Sequence, residues 1–157
     1  LWAYNPKLTG IRQIPDGLTF EGRPQLAARF AGGGGGPSLL LNGHIDVVPS
    51  EPRERWTSDP NRADVRDGEL YGRGACDMKG GVACMVYATE VLSRLGVKLA
   101  GDVVVNTVTD EESSGAGGLA AARHGVRADA GIVPEPTAFA AIVGIMALAL
   151  RRRRINR

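Results

Sequence analysis

Leu39-Leu40-Leu41-Asn42-Gly43-His44-Ile45-Asp46 is a short apolar run that ends in polar, ligand-type residues. Consecutive leucines bounded by turn signals have the pattern of a buried strand. Downstream, residues 49–74 are polar and turn-rich, with a short hairpin expected around Asp67-Gly68. Over residues 78–95, Val82, Met85, Val86, Leu92 and Leu95 recur at helical spacing, and Gly96 is the natural stop. Residues 102–109 are dominated by β-branched side chains and predict a strand that ends in Asp110-Glu111-Glu112. A short helix is expected over 119–124 after a glycine cluster. A further strand is expected over 130–133, ending in Pro134-Glu135-Pro136. Upstream, 27–30 reads as a strand, 32–36 as a glycine-rich connection closed by Pro37, and 1–23 as loop with a short irregular strand. Strand, helix, strand, helix, strand is the order of an α/β layered sheet with helices on its faces.

Composition narrows the function. The chain has 157 residues, 43% hydrophobic and 23% charged, enough for one domain with a core and unlike a disordered segment. Its formal charge of +2 owes much to four arginines at 151–154, and the body without them is mildly acidic, so neither nucleic acid nor a membrane surface is an expected partner. The apolar run at 138–150 is shorter than the ~18–20 residues that span a bilayer. Cys76 and Cys84 make no disulfide framework, which suggests reduced thiols and a cytoplasmic setting.

In open α/β sheets, ligands gather beyond the carboxyl ends of the strands. There the sequence places His44 with Asp46, Glu111 with Glu112, and Glu135, while Asp77 stands just before the long helix. A single acidic strand ending is ordinary turn chemistry. Several converging on one rim repel one another, and a divalent cation is the usual remedy. Histidine with carboxylates and no paired thiols suits Zn²⁺, with Co²⁺ or Mn²⁺ as alternatives. Asp46 lies two residues after His44 on an extended segment, so its carboxylate is placed to accept the second imidazole N–H. Arg73 is expected to pair with a nearby carboxylate, and Cys76 to be a small buried thiol. Lys79 reads equally as a solvated first-turn residue or a functional one, and His124 as a surface residue.

Four strings occur in order: Asn42-Gly43-His44-Ile45-Asp46-Val47-Val48-Pro49, Leu70-Tyr71-Gly72-Arg73-Gly74-Ala75-Cys76-Asp77-Met78-Lys79-Gly80-Gly81, Thr109-Asp110-Glu111-Glu112 and Pro134-Glu135-Pro136-Thr137. Together they resemble the M20 family of metallopeptidases and deacylases, nearest its acetylornithine deacetylase and succinyl-diaminopimelate desuccinylase branch. The resemblance covers residues 20–137. It implies a three-layer α/β sandwich with a mixed, mostly parallel sheet of the zinc-exopeptidase kind. It also implies two zinc ions: Asp77 bridging them, His44 and Glu135 completing one, and Glu112 binding the other. Glu111 would be the general base that takes a proton from the metal-bridging water, and Asp46 would assist catalysis. The substrates implied are N-acyl amino acids or small peptides.

The family pattern continues into a lid domain and a final histidine ligand, whereas this chain contains two histidines, His44 and His124. The expected organisation is therefore a partial metal-binding catalytic domain at 1–137, and at 138–157 a truncated start of the lid or an aberrant basic tail. With the lid missing, dimerisation is not expected. The alternative to an active hydrolase is an inactive fragment that binds only a metal or a partner.

Overall fold

The computed structural model describes residues 2–4, 8 and 11–136, so expectations for 138–157 lie outside the described residues. Its elements run β1 (Trp2–Tyr4), β2 (Gln25–Phe30), β3 (Leu39–His44), β4 (Asp64–Arg66), β5 (Glu69–Tyr71), α1 (Gly80–Arg94), β6 (Val103–Val108), α2 (Ala116–His124) and β7 (Ala130–Ile132). The main sheet has the order β1-β2-β6-β3-β7. β6, β3 and β7 are parallel, while β2 is antiparallel to both β6 and β1. The leucine run is therefore an inner strand, bonded on both sides, which is why it is apolar throughout.

Alternation along β6 divides the core. Val104 and Val108 face one side, packed with Ala27, Phe20 and the α2 residues Ala116, Ala120 and Ala121. Val103 and Val105 face the other, packed with Leu41 and the α1 residue Met85. A helix thus covers each face, giving three layers. The connection through α1 carries the chain from β3 to its neighbour β6, and the connection through α2 carries it back across β3 to β7. Parallel crossovers are right-handed, so opposite directions of travel put the two helices on opposite faces. The reversal makes a switch point at the carboxyl end of β3, where a crevice opens.

Two side-chain pairs brace that end of the sheet. Asn106 Nδ2 donates to Asn42 Oδ1 at 2.6 Å, between residues in register across β3 and β6. Gln25, fully buried at the start of β2, donates to Thr109 Oγ1 at 2.8 Å and accepts the Thr109 N–H at 3.0 Å. A buried amide with both ends satisfied in this way fixes β2 against the exit of β6.

The short hairpin forms as expected: β4 pairs with β5 around Asp67 (φ 52°) and Gly68 (φ 82°), the left-handed pair of a two-residue turn. Two helix starts differ from expectation. The long helix begins at Gly80 because residues 75–79 form an irregular turn in which Asp77 has extended backbone (φ −115°, ψ 103°). The short helix begins at Ala116, inside the glycine cluster, because Gly117 must lie against Thr109: a Cβ there would sit 1.9 Å from the Thr109 carbonyl oxygen. No helix among the described residues is long and apolar enough to cross a membrane.

Candidate metal centre

His44 is the last residue of β3 and its ring is 1% exposed. The Ile45 N–H continues the sheet by donating to the Val108 carbonyl at 2.9 Å, so the ring is placed by the ladder itself. Its Nδ1 lies 3.0 Å from the Asp46 backbone carbonyl and 3.6 Å from Asp46 Oδ1. The main-chain oxygen, not the expected carboxylate, is therefore the closer partner. With Nδ1–H donating there, the neutral ring presents the Nε2 lone pair to the rim. Asp46 turns its carboxylate to the loop carrying Glu111 and Glu112, where Oδ2 accepts the Glu112 N–H at 3.1 Å.

Nε2 faces carboxylates from separate segments: Asp77 Oδ1 at 3.1 Å, Glu135 Oε1 at 3.6 Å and Glu111 Oε2 at 3.8 Å. Ligand atoms of His44, Glu111 and Glu135 lie within 4.8 Å of one another, as do those of His44, Asp77 and Glu112. The structure thus brings His44, Asp77, Glu111, Glu112 and Glu135 to one rim, and it leaves Glu111 nearly as close to the imidazole as Glu135 is. Distance alone does not divide them into ligands and base.

The electrostatics are those of crowded anions around one imidazole. Burial lowers the His44 pKa, but the hydrogen bonds with Asp46 and Asp77 and the charges of Glu135 and Asp46 outweigh it, and the net shift is upward. The Glu135 pKa is raised, chiefly by burial and then by the charges of Asp77 and Glu111, against the opposing pull of His44. The buried Asp46 Oδ1 also has no hydrogen-bond partner. A hard or borderline divalent cation at the Nε2 side would relieve the crowding of the carboxylates there, and a donor set of one imidazole with carboxylates fits such an ion.

Asp110, left without a role in the sequence reading, shapes the Glu111-Glu112 loop. It adopts φ 64°, accepts the hydroxyls of Ser113 and Ser114, and its carbonyl receives the Gly115 N–H at 2.8 Å. Burial raises its pKa, but the Ser114, Ser113 and Ala116 hydrogen bonds prevail and hold the carboxyl below the usual range. The signal was an Asp with serines three and four residues later, a side-chain-capped turn. Two expectations are corrected. Cys76 is exposed, because the irregular turn buries Met78 instead. Arg73 lies over the Trp56 ring at 5.0 Å, and no ion pair of Arg73 with a carboxylate is seen among the described residues. His124 is exposed at the end of α2, away from the centre's ligand groups.

Fold and site define a three-layer α/β protein with a histidine–carboxylate centre at the carboxyl edge of its sheet. Residues 40–147 match the model for Peptidase family M20/M25/M40, and the chain belongs to that family. It is 44% identical over 112 residues to the succinyl-diaminopimelate desuccinylase of Methylibium petroleiphilum, a match covering 68% of this chain and 29% of the relative. It is 40% identical over 98 residues to the N-formyl-4-amino-5-aminomethyl-2-methylpyrimidine deformylase of Bacillus subtilis, covering 62% of this chain and 23% of the relative. Among solved structures, an M20 family metallo-carboxypeptidase from Sulfolobus solfataricus shares the fold with a TM-score of 0.55 and 23% identity, over 70% of this chain and 25% of its own. The chain thus spans roughly a quarter to a third of the length of the relatives it matches.

Proposed function

We propose that this chain carries the metal-binding part of a hydrolase that cleaves amide bonds in N-acyl amino acids or small peptides. The observation behind this reading is the convergence of His44 Nε2 with carboxylates from three other segments of the chain. His44, Asp77 and Glu135 would hold one zinc ion, and Asp77 with Glu112 a second, with cobalt or manganese as chemical alternatives. Bound there, the ions would supply Lewis acidity toward a carbonyl oxygen and toward water. Glu111, half exposed at the rim, is the carboxylate left to take a proton from water at an Oε atom and return it to the departing amine. Asp46 orients: its carbonyl holds the imidazole, and its carboxylate holds the backbone of Glu112. An open cleft of about 520 Å³ beside Asp46, bounded by Arg23, Leu26, Ile45 and Thr107, gives room for part of a substrate. The named desuccinylase and deformylase relatives favour an acyl-amide substrate, and the free thiols Cys76 and Cys84 favour a reducing, cytoplasmic setting.

The test is elemental analysis of the dialysed chain beside Asp77→Ala, together with hydrolysis of an N-succinyl and N-acetyl amino acid panel. Bound zinc that is lost in Asp77→Ala, with hydrolysis abolished in Glu111→Ala, is the expected result. Bound zinc without hydrolysis would favour the second reading, a metal-binding chain with no turnover of its own, which its short span against its relatives makes worth separating. A wild-type chain that retains no metal would sink both.

A further inference from the structure

Lys79 stands at the N-cap position of α1, where the helix dipole disfavours a cation. A lysine there would ordinarily extend into water. Instead its side chain doubles back: Nζ donates to the backbone carbonyl of Ile45 at 2.7 Å. It crosses the turn over Gly74, where an added Cβ would lie 3.3 Å from Nζ and 2.5 Å from Val47 Cγ1. Gly74 is thus bare where the lysine passes. The Lys79 N–H closes the same turn by donating to the Gly74 carbonyl at 2.9 Å.

Ile45 lies between His44 and Asp46, and this dipeptide is where the centre's segments meet. The Ile45 N–H is held by β6, the Asp46 carbonyl faces the His44 ring, and the Asp46 carboxylate receives the Glu112 N–H. The Ile45 carbonyl lies between these anchored groups, and Lys79 takes it. We propose that Lys79 is a positioning residue, which ties the turn carrying Asp77 to the His44–Asp46 loop and so sets how tightly the centre holds a divalent ion. The effect on the ion rests on the metal-binding reading above; the tie between the two loops does not.

The sign of the effect separates positioning from simple charge. Removing a cation beside an acidic centre would, by electrostatics alone, tighten cation binding. Removing a tie between ligand-bearing loops weakens it, and losing a supporting partner of a ligand typically costs ~10–100-fold in metal affinity. Because Lys79 acts on the loop and not on a ligand atom, Lys79→Met is expected to weaken Co²⁺ binding by about tenfold and to alter the visible spectrum of the bound ion. Lys79→Arg keeps a cationic donor of similar reach and is expected to recover most of the affinity. Co²⁺ titrations monitored by absorption, with chelator competition, read both quantities, and the melting temperature of each metal-free variant shows that it is folded. In the metal-free chain, amide exchange at Lys79 should also quicken at least about fivefold in Lys79→Met as the turn loosens. Unchanged or tighter Co²⁺ binding in Lys79→Met would overturn the proposal. If the wild-type chain bound no Co²⁺, the metal reading would fall instead, and the exchange rate would still decide whether Lys79 ties the loops.

Discussion

At the level of single residues, the centre without an ion is held by proton placement, and that has a pH consequence. His44 has its pKa raised in the fold above the ordinary 6.5, because its contacts with Asp46, Asp77 and Glu135 overcome burial. A raised value means that the fold prefers the protonated ring. The stability gained is full below pH 6.5 and is lost as pH climbs through the folded value. Glu135, raised from 4.5 mainly by its own burial, has the same sign, with its contribution lost as pH rises above that value. Asp102 runs the other way. The Gly32 N–H and then Arg29 hold it below 3.8, so its contribution is present above that pH and disappears on acidification through its lowered value. The chain in chelator is therefore expected to unfold at a lower urea concentration at pH 8 than at pH 6, and His44→Gln should flatten that difference. Equal or rising midpoints between those pH values would contradict the assignment.

At the level of elements, the glycines of α2 give a paired prediction. Replacing a helical glycine by alanine gains about 1 kcal/mol from propensity alone. At Gly118 a Cβ would meet nothing within 4 Å, so Gly118→Ala should realise that gain. At Gly117 the Cβ would press on the Thr109 carbonyl oxygen at 1.9 Å and the Thr109 nitrogen at 2.8 Å, backbone that cannot rotate away. Overpacking of this kind costs roughly 1–3 kcal/mol, which cancels or outweighs the propensity gain, so a net loss of up to about 2 kcal/mol is expected for Gly117→Ala by chemical denaturation. Gly81→Ala carries the same logic to the centre. Its Cβ would lie 2.6 Å from the Pro134 carbonyl, one residue before Glu135, so calorimetric titration should show weakened zinc binding. These positions also explain what could and could not be read from sequence. The strands were legible because Leu39–His44 and Val103–Val108 are buried stretches whose apolar content needs no partner to be recognised. The start of α2 was not, because Gly117 and Gly118 resemble a loop until the Thr109 backbone is in place. The candidate ligands His44, Glu112 and Glu135 were legible because they close or follow strands, and Asp77 because it precedes the long helix. Which atom of Asp46 faces the imidazole depends on the Glu112 N–H that takes its carboxylate, and which way Lys79 folds and where Cys76 points depend on the 74–79 turn, all contacts distant in sequence.

At the level of the whole molecule, the centre lies where three parallel strands and the entry to α1 come together, so an ion there would tie distant parts of the chain. His44 follows β3, Glu111 and Glu112 follow β6, Glu135 follows β7, and Asp77 precedes α1. Single hydrogen bonds, such as those of Asp46 with Glu112 and of Lys79 with Ile45, link these loops, and their carboxylates repel. An ion bound to the folded chain and not to the unfolded one stabilises by mass action, about 2.7 kcal/mol at a hundredfold excess over its dissociation constant. For a domain of this size, that converts to a rise in melting temperature of roughly 10 °C. Zinc at that excess is thus expected to raise the wild-type transition by about this amount, and chelator to reverse it. Asp77→Ala, which removes the ligand proposed to be shared, should lose nearly the whole increment while its metal-free transition changes little, the lost hydrogen bond to His44 offsetting the loss of one repelling carboxylate. A zinc-induced rise of equal size in Asp77→Ala would show that the ion stabilises the chain from somewhere else. A wild-type transition indifferent to zinc would show that these strand ends converge without holding a metal.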